Sequence, residues 1–411
     1  MRRWRIAILV SAAIAISYLD RQTLPVAIKA IQHTIPVSNT QFAFLQNAFL
    51  LAYAAMYLGG GKLMDTLGTR AGFLLTMTFW SLACASHGLA TGFGMLVMSR
   101  FLLGMGEGGG FPAATRAVAE WFPVEERSIA MGIINGGTAI GGIAAPPLIA
   151  LLIGLTNWRC VFFATGLIGL LWTIWWMLDY SSPPRAADST AEVEDSTSFS
   201  WLQLLHYPQV WGMVFAKFLS DAAWYFYLFW LPKYLYDARG FDIKAVGTFA
   251  WIPYAAAGVG CLVGGWFSGW LVRQNHSLNV ARKVALGASA AVMPLILLVT
   301  HAPIAWAIVL FSIAYFGQQS WSTLIMILPV DLFPQRVVGA VAGMVGFGGA
   351  MGGIVFGTVV GRMLDHGFGY GPVFALAGSF HVIAFLVILA TIPQVRRLGI
   401  KSRLTQAQTT C

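Results

Sequence analysis

The sequence predicts an all-α integral membrane protein with 12 transmembrane helices, arranged as two six-helix bundles. Three observations lead to this fold class. Apolar residues make up 58% of the 411 residues and charged residues only 10%, whereas a soluble domain carries about 25% charged residues. Long apolar runs recur along the chain, and each bilayer crossing takes ~20 apolar residues. The second half of the chain also repeats motifs of the first half.

The composition excludes several classes of protein. Disordered chains, disulfide-rich secreted scaffolds and ordinary cytosolic enzymes all carry more polar surface than this chain offers. The net charge of +9 does not indicate a nucleic-acid partner, because the basic residues are scattered or flank apolar runs. The four cysteines have no metal-ligand spacing, so we expect neither a metal site nor a disulfide framework.

Apolar runs bounded by glycine, proline or charge predict the spans in order. The first six fall at 6–31, 42–64, 71–91, 93–116, 129–153 and 158–178, and the second six at 210–236, 244–271, 284–300, 303–328, 338–363 and 371–393. We therefore expect an N-terminal bundle over 1–178, a cytoplasmic linker over 179–206, a C-terminal bundle over 207–393 and a cytoplasmic tail over 394–411. The first run resembles a signal peptide but lacks a cleavage site, which favours an uncleaved first helix.

An internal repeat relates the two predicted bundles. Glu120-Trp121-Phe122-Pro123 recurs as Asp331-Leu332-Phe333-Pro334 at an offset of 211 residues, and glycines follow both copies. Both copies end one span and open the next. The polar, Ser- and Thr-rich stretch between the bundles is unsuited to lipid and has too few large apolar residues to pack as a domain.

The basic residues predict the orientation in the membrane. With an even number of spans, both termini lie on one side, and that side carries 16 of the Lys and Arg residues. The opposite loops and the span ends next to them carry 6, and 3 lie deep inside spans. Because cytoplasmic loops are enriched in Lys and Arg, we expect a multi-pass protein with both termini in the cytoplasm.

The loop between spans 2 and 3 carries a family motif. Residues 61–70 read Gly-Lys-Leu-Met-Asp-Thr-Leu-Gly-Thr-Arg, which resembles the signature loop of the major facilitator superfamily. The resemblance implies the superfamily's fold, with a substrate site at the midplane between two repeated halves. It also implies a gating or conformational role for Asp65 and Arg70.

Six charged residues lie well inside predicted spans, away from the span ends. An ionisable group at bilayer depth costs at least ~2.5–3.5 kcal/mol, so such groups face a cavity or a partner and usually mark function. Span 1 carries Asp20 and Arg21; span 4 carries Arg100 and Glu107, which share one helix face. Span 7 carries Lys217 and Asp221, spaced for an i,i+4 pair with an expected conformational role.

The first four of these charges suggest proton-coupled anion transport. We expect Asp20, Arg21, Arg100 and Glu107 to neutralise one another in one water-accessible cleft. An anionic substrate then replaces an acid as the partner of an arginine, and the displaced acid takes up a proton. Asp20 and Glu107 are the candidate proton carriers. Buried ion pairs stabilise a fold poorly, which argues against packing as the only role of four charges.

Polar and aromatic side chains on nearby spans suit a hydroxylated ligand. Hydroxyl and amide groups hydrogen-bond sugar hydroxyls, while an aromatic ring faces the C–H surface of a sugar. The candidates are Tyr18, Asn47, Tyr53, Thr138, Trp224, Tyr225, Gln318, Gln319 and Trp321.

Further motifs narrow the resemblance. Tyr18-Leu19-Asp20-Arg21, Arg100-x6-Glu107-Gly108 and the segment beginning at Glu120 are similar to the anion:cation symporter family, and Phe249-Ala250-Trp251-Ile252-Pro253 resembles its bacterial hexuronate branch. The resemblance implies that Arg21 holds the substrate carboxylate, that Asp20 and Glu107 handle protons with Arg100, and that Tyr18 and Tyr53 contact the sugar. The sequence departs from these branches at two positions. An acid at position 20, here Asp20, is more like the galactonate branch than the hexuronate branch, and Gly346 stands where the galactonate branch often has Asn.

We therefore expect proton-coupled symport of a sugar-acid anion, a hexuronate such as glucuronate or galacturonate, by a monomer without a cofactor. Another organic anion, such as galactonate, tartrate or phthalate, is the alternative. An integral membrane enzyme using the buried acids is disfavoured by the six-plus-six repeat and by the lack of metal-ligand clusters or a nucleophile–base pair. A sensor is disfavoured because no signalling domain is present.

Overall fold

The computed structural model describes residues 2–181 and 201–398, which contain α-helices and 3₁₀ segments but no β-strand. The helices of these ranges are α1 Arg2–Gln32, α2 Asn39–Ser86, α3 Phe93–Glu107, α4 Gly110–Trp121, α5 Val124–Leu155, α6 Trp158–Asp179, α7 Trp201–Leu204, α8 Pro208–Arg239, α9 Ile243–Phe249, α10 Trp251–Arg273, α11 Leu278–Ala291, α12 Ile304–Leu332, α13 Gln335–Asp365 and α14 Tyr370–Thr391. Short 3₁₀ segments cover His87–Leu89 and Met293–Thr300.

These helices make up the twelve predicted spans. Span 4 consists of α3 and α4, span 8 of α9 and α10, and span 9 of α11 with the 3₁₀ segment that follows it. Spans 2 and 3 are the two arms of α2, which reverses direction at Gly68 with φ 77° and ψ 162°. A positive φ favours glycine because it has no Cβ to clash. Seven helices in the described residues are long and apolar enough, by length and composition, to cross a membrane.

The spans form two bundles, α1–α6 and α8–α14, and the all-α fold in two halves is confirmed. The predicted linker begins where α6 ends and includes the short helix α7. Its residues 182–200, and residues 399–411 of the predicted tail, lie outside the described part of the chain. The start of α1 and the end of α14 lie on one face of the molecule, which we call the terminal face, and the other face is called the opposite face.

The bundles separate toward the terminal face and leave a cleft between α5 and α13. Around Leu204, Val341 and Ile388, the C-terminal bundle has a core of its own, distinct from the core that joins both halves elsewhere. Glycines line this end of the two helices, and no described atom lies within 4 Å of the position of their absent Cβ atoms; they are Gly132, Gly136, Gly339, Gly343 and Gly346.

The halves meet near the opposite face. The carboxylate of Asp365, the last residue of α13, accepts hydrogen bonds from the backbone N–H groups of Asn39 (3.0 Å) and Thr40 (2.8 Å) at the start of α2. Other hydrogen bonds between the halves join Asn47 to Thr358, Gln22 to the carbonyl of Leu228, and Tyr236 to the carbonyl of Val26. The cleft is therefore open to the terminal face and closed to the opposite face.

Candidate functional site

The floor of the cleft holds an ion pair between α1 and α3. Arg21 Nε donates to Glu107 Oε2 at 2.6 Å, and Ser17 Oγ donates to the same oxygen at 2.7 Å. The side chain of Arg21 is 4% exposed and that of Glu107 is 0% exposed. Charge-assisted hydrogen bonds of this length are among the stronger ones in proteins. Both side chains are almost inaccessible to solvent. Another anion can therefore replace Glu107 only if the side chains above the ion pair move.

Small residues bring Glu107 to this position. A Cβ on Gly104 would lie 2.2 Å from the carbonyl oxygen of Phe49, and a Cβ on Gly106 would lie 2.5 Å from the Cβ of Trp80. Only glycine lets the backbone of α3 approach both arms of α2 so closely. The close approach places the last residue of α3 beside α1.

Aromatic rings surround the Arg21 guanidinium. Its central carbon lies 4.8 Å from the ring centre of Tyr18, 5.3 Å from that of Phe49 and 4.5 Å from that of Tyr53. A desolvated cation over an aromatic face gains about 2 kcal/mol or more. Tyr18 and Tyr53 are half-buried, so they form the cover between the ion pair and the open cleft.

Asp20 points away from the cleft, which differs from the expectation of four charges in one water-accessible space. It precedes Arg21 by one residue, a rotation of about 100° around the helix, and it is completely buried. Cys84 Sγ donates to Asp20 Oδ1 at 3.4 Å and lies 3.2 Å from Thr165 Oγ1. The other carboxyl oxygen, Oδ2, has no hydrogen-bond partner among the described residues.

Arg100 is also completely buried, behind the ion pair. Its Nη2 donates to Gln46 Oε1 at 2.7 Å and to the carbonyl of Arg21 at 3.3 Å. Among the described residues it has no carboxylate within 4.0 Å, and its Nε and Nη1 lack hydrogen-bond partners. Arg100 is therefore a buried cation one layer behind Arg21, not a second cation facing the cleft.

A second charged cluster lies in the C-terminal bundle. Lys217 Nζ donates to Asp221 Oδ1 at 2.8 Å and to Ser322 Oγ at 2.9 Å. The side chain of Gln318 also hydrogen-bonds to Asp221, and its Oε1 lies 2.5 Å from His381 Nε2. Polar side chains of α8, α12 and α14 are thus linked in one network.

Tyr225 connects the two clusters. It follows Asp221 by one helical turn on α8 and is half-buried. Its hydroxyl is within electrostatic reach of Asp221 and Arg21 and lies near Tyr53, and Tyr18 is within electrostatic reach of Asp221. Tyrosines of both halves are therefore within electrostatic reach of charged groups in both clusters.

The other predicted site residues are placed differently. Asn47 joins the halves through Thr358, and Thr138 Oγ1 donates to the carbonyl of Asn135 on its own helix at 2.7 Å. Gln319 is half-buried beside Gln318.

Two predicted tryptophans lie in packing positions. Trp224 is 8% exposed and contacts the ring of Tyr315, whereas Trp321 is 0% exposed and packs edge-on against His381. The structure thus brings Tyr18, Tyr53, Arg21 and Glu107 together but does not bring Trp321 to the cleft.

Of the two predicted gating residues on the family loop, Arg70 is exposed and donates to the carbonyl of Met177 at 3.0 Å. The side chain of Asp65 lies outside the described part of the structure.

Sequence reasoning missed several polar partners of the charges, namely Ser17, Gln46, Cys84, Thr165, Ser322 and His381. Ser17 could have been found, because it precedes Arg21 by four residues and so lies on the same helix face. The others come from different helices and depend on how those helices pack.

Comparison with known proteins identifies the family. A model described as the Major Facilitator Superfamily matches residues 10–356. The chain belongs to the major facilitator superfamily. A hexuronate transporter of Escherichia coli (strain K12) is 31% identical over 407 residues, which cover 94% of this chain and 93% of the relative. A galacturonate transporter of Dickeya chrysanthemi is 32% identical over 307 residues, covering 71% of this chain and 89% of the relative.

A solved structure supports the fold. It is a bacterial homolog of the human lysosomal transporter Spinster in an inward-facing and occupied conformation, with a TM-score of 0.78 at 18% sequence identity. The match covers 95% of this chain and 97% of that chain. The present protein is thus a membrane-spanning major facilitator transporter and not an enzyme.

Proposed function

We propose that this protein is a proton-coupled symporter that carries a sugar-acid anion into the cytoplasm by alternating access. The observation that carries the proposal is the Arg21–Glu107 ion pair, buried at the floor of a cleft and covered by tyrosines. An arginine held by an internal carboxylate is a site that an external carboxylate can occupy instead. The hydroxyls of Tyr18, Tyr53 and Tyr225 can bind the hydroxyl groups of a sugar.

Charge balance couples the anion to a proton. When the substrate carboxylate replaces Glu107 on Arg21, the cleft gains one negative charge. Glu107 cannot stay ionised without a partner in a dry site, because an unpaired buried charge is strongly unfavourable. It therefore takes one proton, and the released carboxyl remains hydrogen-bonded to Ser17. One anion and one proton then move together. Asp20, with Arg100, is the candidate for a further proton-coupling group behind this pair.

In the proposed cycle, the cleft opens alternately to the terminal face and to the opposite face. We propose that the terminal face is cytoplasmic, because it carries most of the Lys and Arg residues, and that the protein acts in the bacterial inner membrane. The structure then corresponds to the state that releases substrate. Separation of Asp365 from Asn39 and Thr40 opens the opposite face, while Asp65 and Arg70 act at the cytoplasmic gate. The protein acts as a monomer, driven by the proton gradient without a cofactor.

A hexuronate such as glucuronate or galacturonate is the proposed substrate. The names of the relatives from E. coli and D. chrysanthemi support this class, and the combination of one arginine with several hydroxyl groups suits a monocarboxylate sugar. Another organic anion, such as galactonate, tartrate or phthalate, is the alternative.

Uptake by purified protein in liposomes tests the proposal. Radiolabelled glucuronate, galacturonate, galactonate, tartrate and phthalate are compared, with the pH gradient and the membrane voltage set independently. We expect accumulation of a hexuronate above its external concentration when the outside is acidic, and none when the proton gradient is dissipated. Accumulation of galactonate alone would overturn the hexuronate assignment. Accumulation without a pH gradient or voltage would overturn proton coupling.

A further inference from the structure

Lys217 has no role in the exchange proposed at Arg21, although it lies at membrane depth. An ammonium group has three N–H donors, and the structure uses two of them, toward Asp221 Oδ1 at 2.8 Å and Ser322 Oγ at 2.9 Å. The third N–H has no acceptor among the described residues. The cation is thus held by two positioning contacts and keeps one donor available.

The pair formed by Lys217 and Asp221 is more accessible than the pair on the other side of the cleft. Its side chains are 9% and 10% exposed, compared with 4% for Arg21 and 0% for Glu107. All four side chains are largely buried, and the Lys217 pair is the slightly more exposed of the two.

Packing alone does not account for the charges of this pair. Lys217 and Asp221 lie four residues apart on one helix, so the ion pair itself joins no two helices, although Ser322 and Gln318 tie it to α12. Charges in a dry bundle stabilise it poorly. Asp221 nevertheless has a fitted position, because a Cβ on Gly349 of α13 would lie 2.1 Å from its Oδ2. Asp221 is the fixed partner, and Lys217, on its flexible four-carbon stem, is the adjustable one.

The position of Lys217 extends the site. Lys217, Asp221 and Tyr225 are spaced i, i+4 and i+8, so they form a stripe on one face of α8. The far end of the stripe, Tyr225, is within electrostatic reach of Arg21. A molecule lying along this stripe would have one end at Arg21 and the other toward Lys217.

We propose that Lys217 binds the oxygen atoms of the substrate that are remote from the carboxylate on Arg21. Asp221 and Ser322 are its positioning residues. This inference rests on the proposed function and adds a specificity determinant in the C-terminal half. A sugar acid with hydroxyl groups at its far end satisfies the third donor of Lys217, whereas a short carboxylic acid does not reach it.

The test replaces both members of the pair, so that no unpaired charge is left. K217M/D221N is compared with K233M/D237N, which removes the other Lys–Asp pair with i,i+4 spacing on the same helix. The KM for the hexuronate that the wild type accumulates is measured in liposomes under a fixed pH gradient. We expect K217M/D221N to raise KM at least tenfold, with K233M/D237N within about twofold of the wild type.

A milder variant guards against misfolding. S322A keeps both charges and removes one positioning contact of Lys217, so a two- to fivefold rise in KM is expected. A wild-type KM in K217M/D221N would overturn the inference while leaving the proposed function intact. Absence of uptake by the wild-type protein itself would instead overturn the proposed function, and the inference with it.

Discussion

The two charged clusters of this transporter differ in how they are built. In the N-terminal half, Arg21 and Glu107 come from different helices and are almost completely dry, with Asp20 and Arg100 sealed behind them. In the C-terminal half, Lys217 and Asp221 come from one helix and are slightly more exposed, at 9% and 10%. This difference agrees with the two roles that we propose: the Arg21–Glu107 pair couples substrate binding to protonation, and Lys217 offers a hydrogen-bond donor to the substrate.

The two clusters are expected to differ most, in uptake and in stability, when one charged residue of each ion pair is replaced. R21A leaves Glu107 buried without a cation, and breaking such a pair costs ~3–5 kcal/mol. We expect R21A to abolish uptake and to lower the melting temperature in detergent strongly, while K217M raises KM with a smaller loss of stability. Melting and uptake are measured on the same preparations.

Two controls separate charge from packing in this experiment. R21A/E107Q removes both charges and is expected to recover much of the melting temperature without recovering uptake. R5A breaks a pair with Asp179 in which Arg5 is mostly exposed, and such pairs contribute ~0–1 kcal/mol. Equal melting temperatures for R21A and R5A would contradict the difference between the clusters.

Glycines provide a second test within α13. In G349A the new methyl group would lie 2.1 Å from Asp221 Oδ2, whereas in G346A it would meet no described atom within 4 Å. Overpacking costs ~1–3 kcal/mol, so we expect a lower melting temperature and a raised KM for G349A. The melting temperature of G346A should equal that of the wild type or exceed it slightly. A wild-type KM in G349A would mean that the position of Asp221 is unimportant.

The contact that closes the opposite face should shift the conformational balance. Asp365 binds two backbone N–H groups at the start of α2, a favourable place for an anion, and a contact of this kind contributes ~1 kcal/mol. D365A should therefore raise the population open to the opposite face about fivefold. Spin labels at the exposed positions His33 and His366 report this as a longer distance population in pulsed dipolar spectroscopy. An unchanged distance distribution would argue against the contact as a gate.

Much of the fold could be predicted from the sequence, because lipid requires long apolar helices and the repeat reveals two halves. The breaks within the spans were harder to predict. Span 4 is interrupted after Glu107, and the 3₁₀ segment Met293–Thr300 replaces the end of span 9. Both interruptions coincide with residues that weaken helices, Gly108-Gly109-Gly110 and Pro294. Glycine and proline are common in membrane helices, so these residues alone do not locate a break. The open end of the cleft also could not be predicted, because the states of a transporter share one sequence and differ little in free energy.

The sequence predicted which residue types form the site, but not which of them face the cleft and which point into the protein. Charges in a span mark function because lipid disfavours them, and this led to Arg21 and Glu107. Their neighbours Asp20 and Arg100 point into the protein, a direction set by helix rotation and by partners on other helices. Trp321 illustrates the opposite error: a polar-tipped aromatic ring was expected to bind sugar, yet packing against His381 buries it completely.

The smallest effect is expected at Cys84. Its thiol is a weak donor, and it contacts Asp20 at 3.4 Å. C84A should therefore slow pH-driven uptake only two- to threefold, while C160A, at an exposed cysteine, should have no effect. Initial rates in liposomes at fixed external pH provide the comparison. Complete loss of uptake in C84A would show that the thiol is essential to the sealed cluster and not a minor contact.

The most direct test of the central claim is E107Q in liposomes, measured in two modes. Exchange of labelled for unlabelled substrate requires binding and alternating access but no net proton movement, whereas accumulation under an imposed pH gradient requires coupling. If the displaced Glu107 carries the proton, E107Q retains exchange and loses accumulation. If E107Q accumulates substrate to the wild-type level, the exchange of a carboxylate for a proton at Arg21 is not the mechanism.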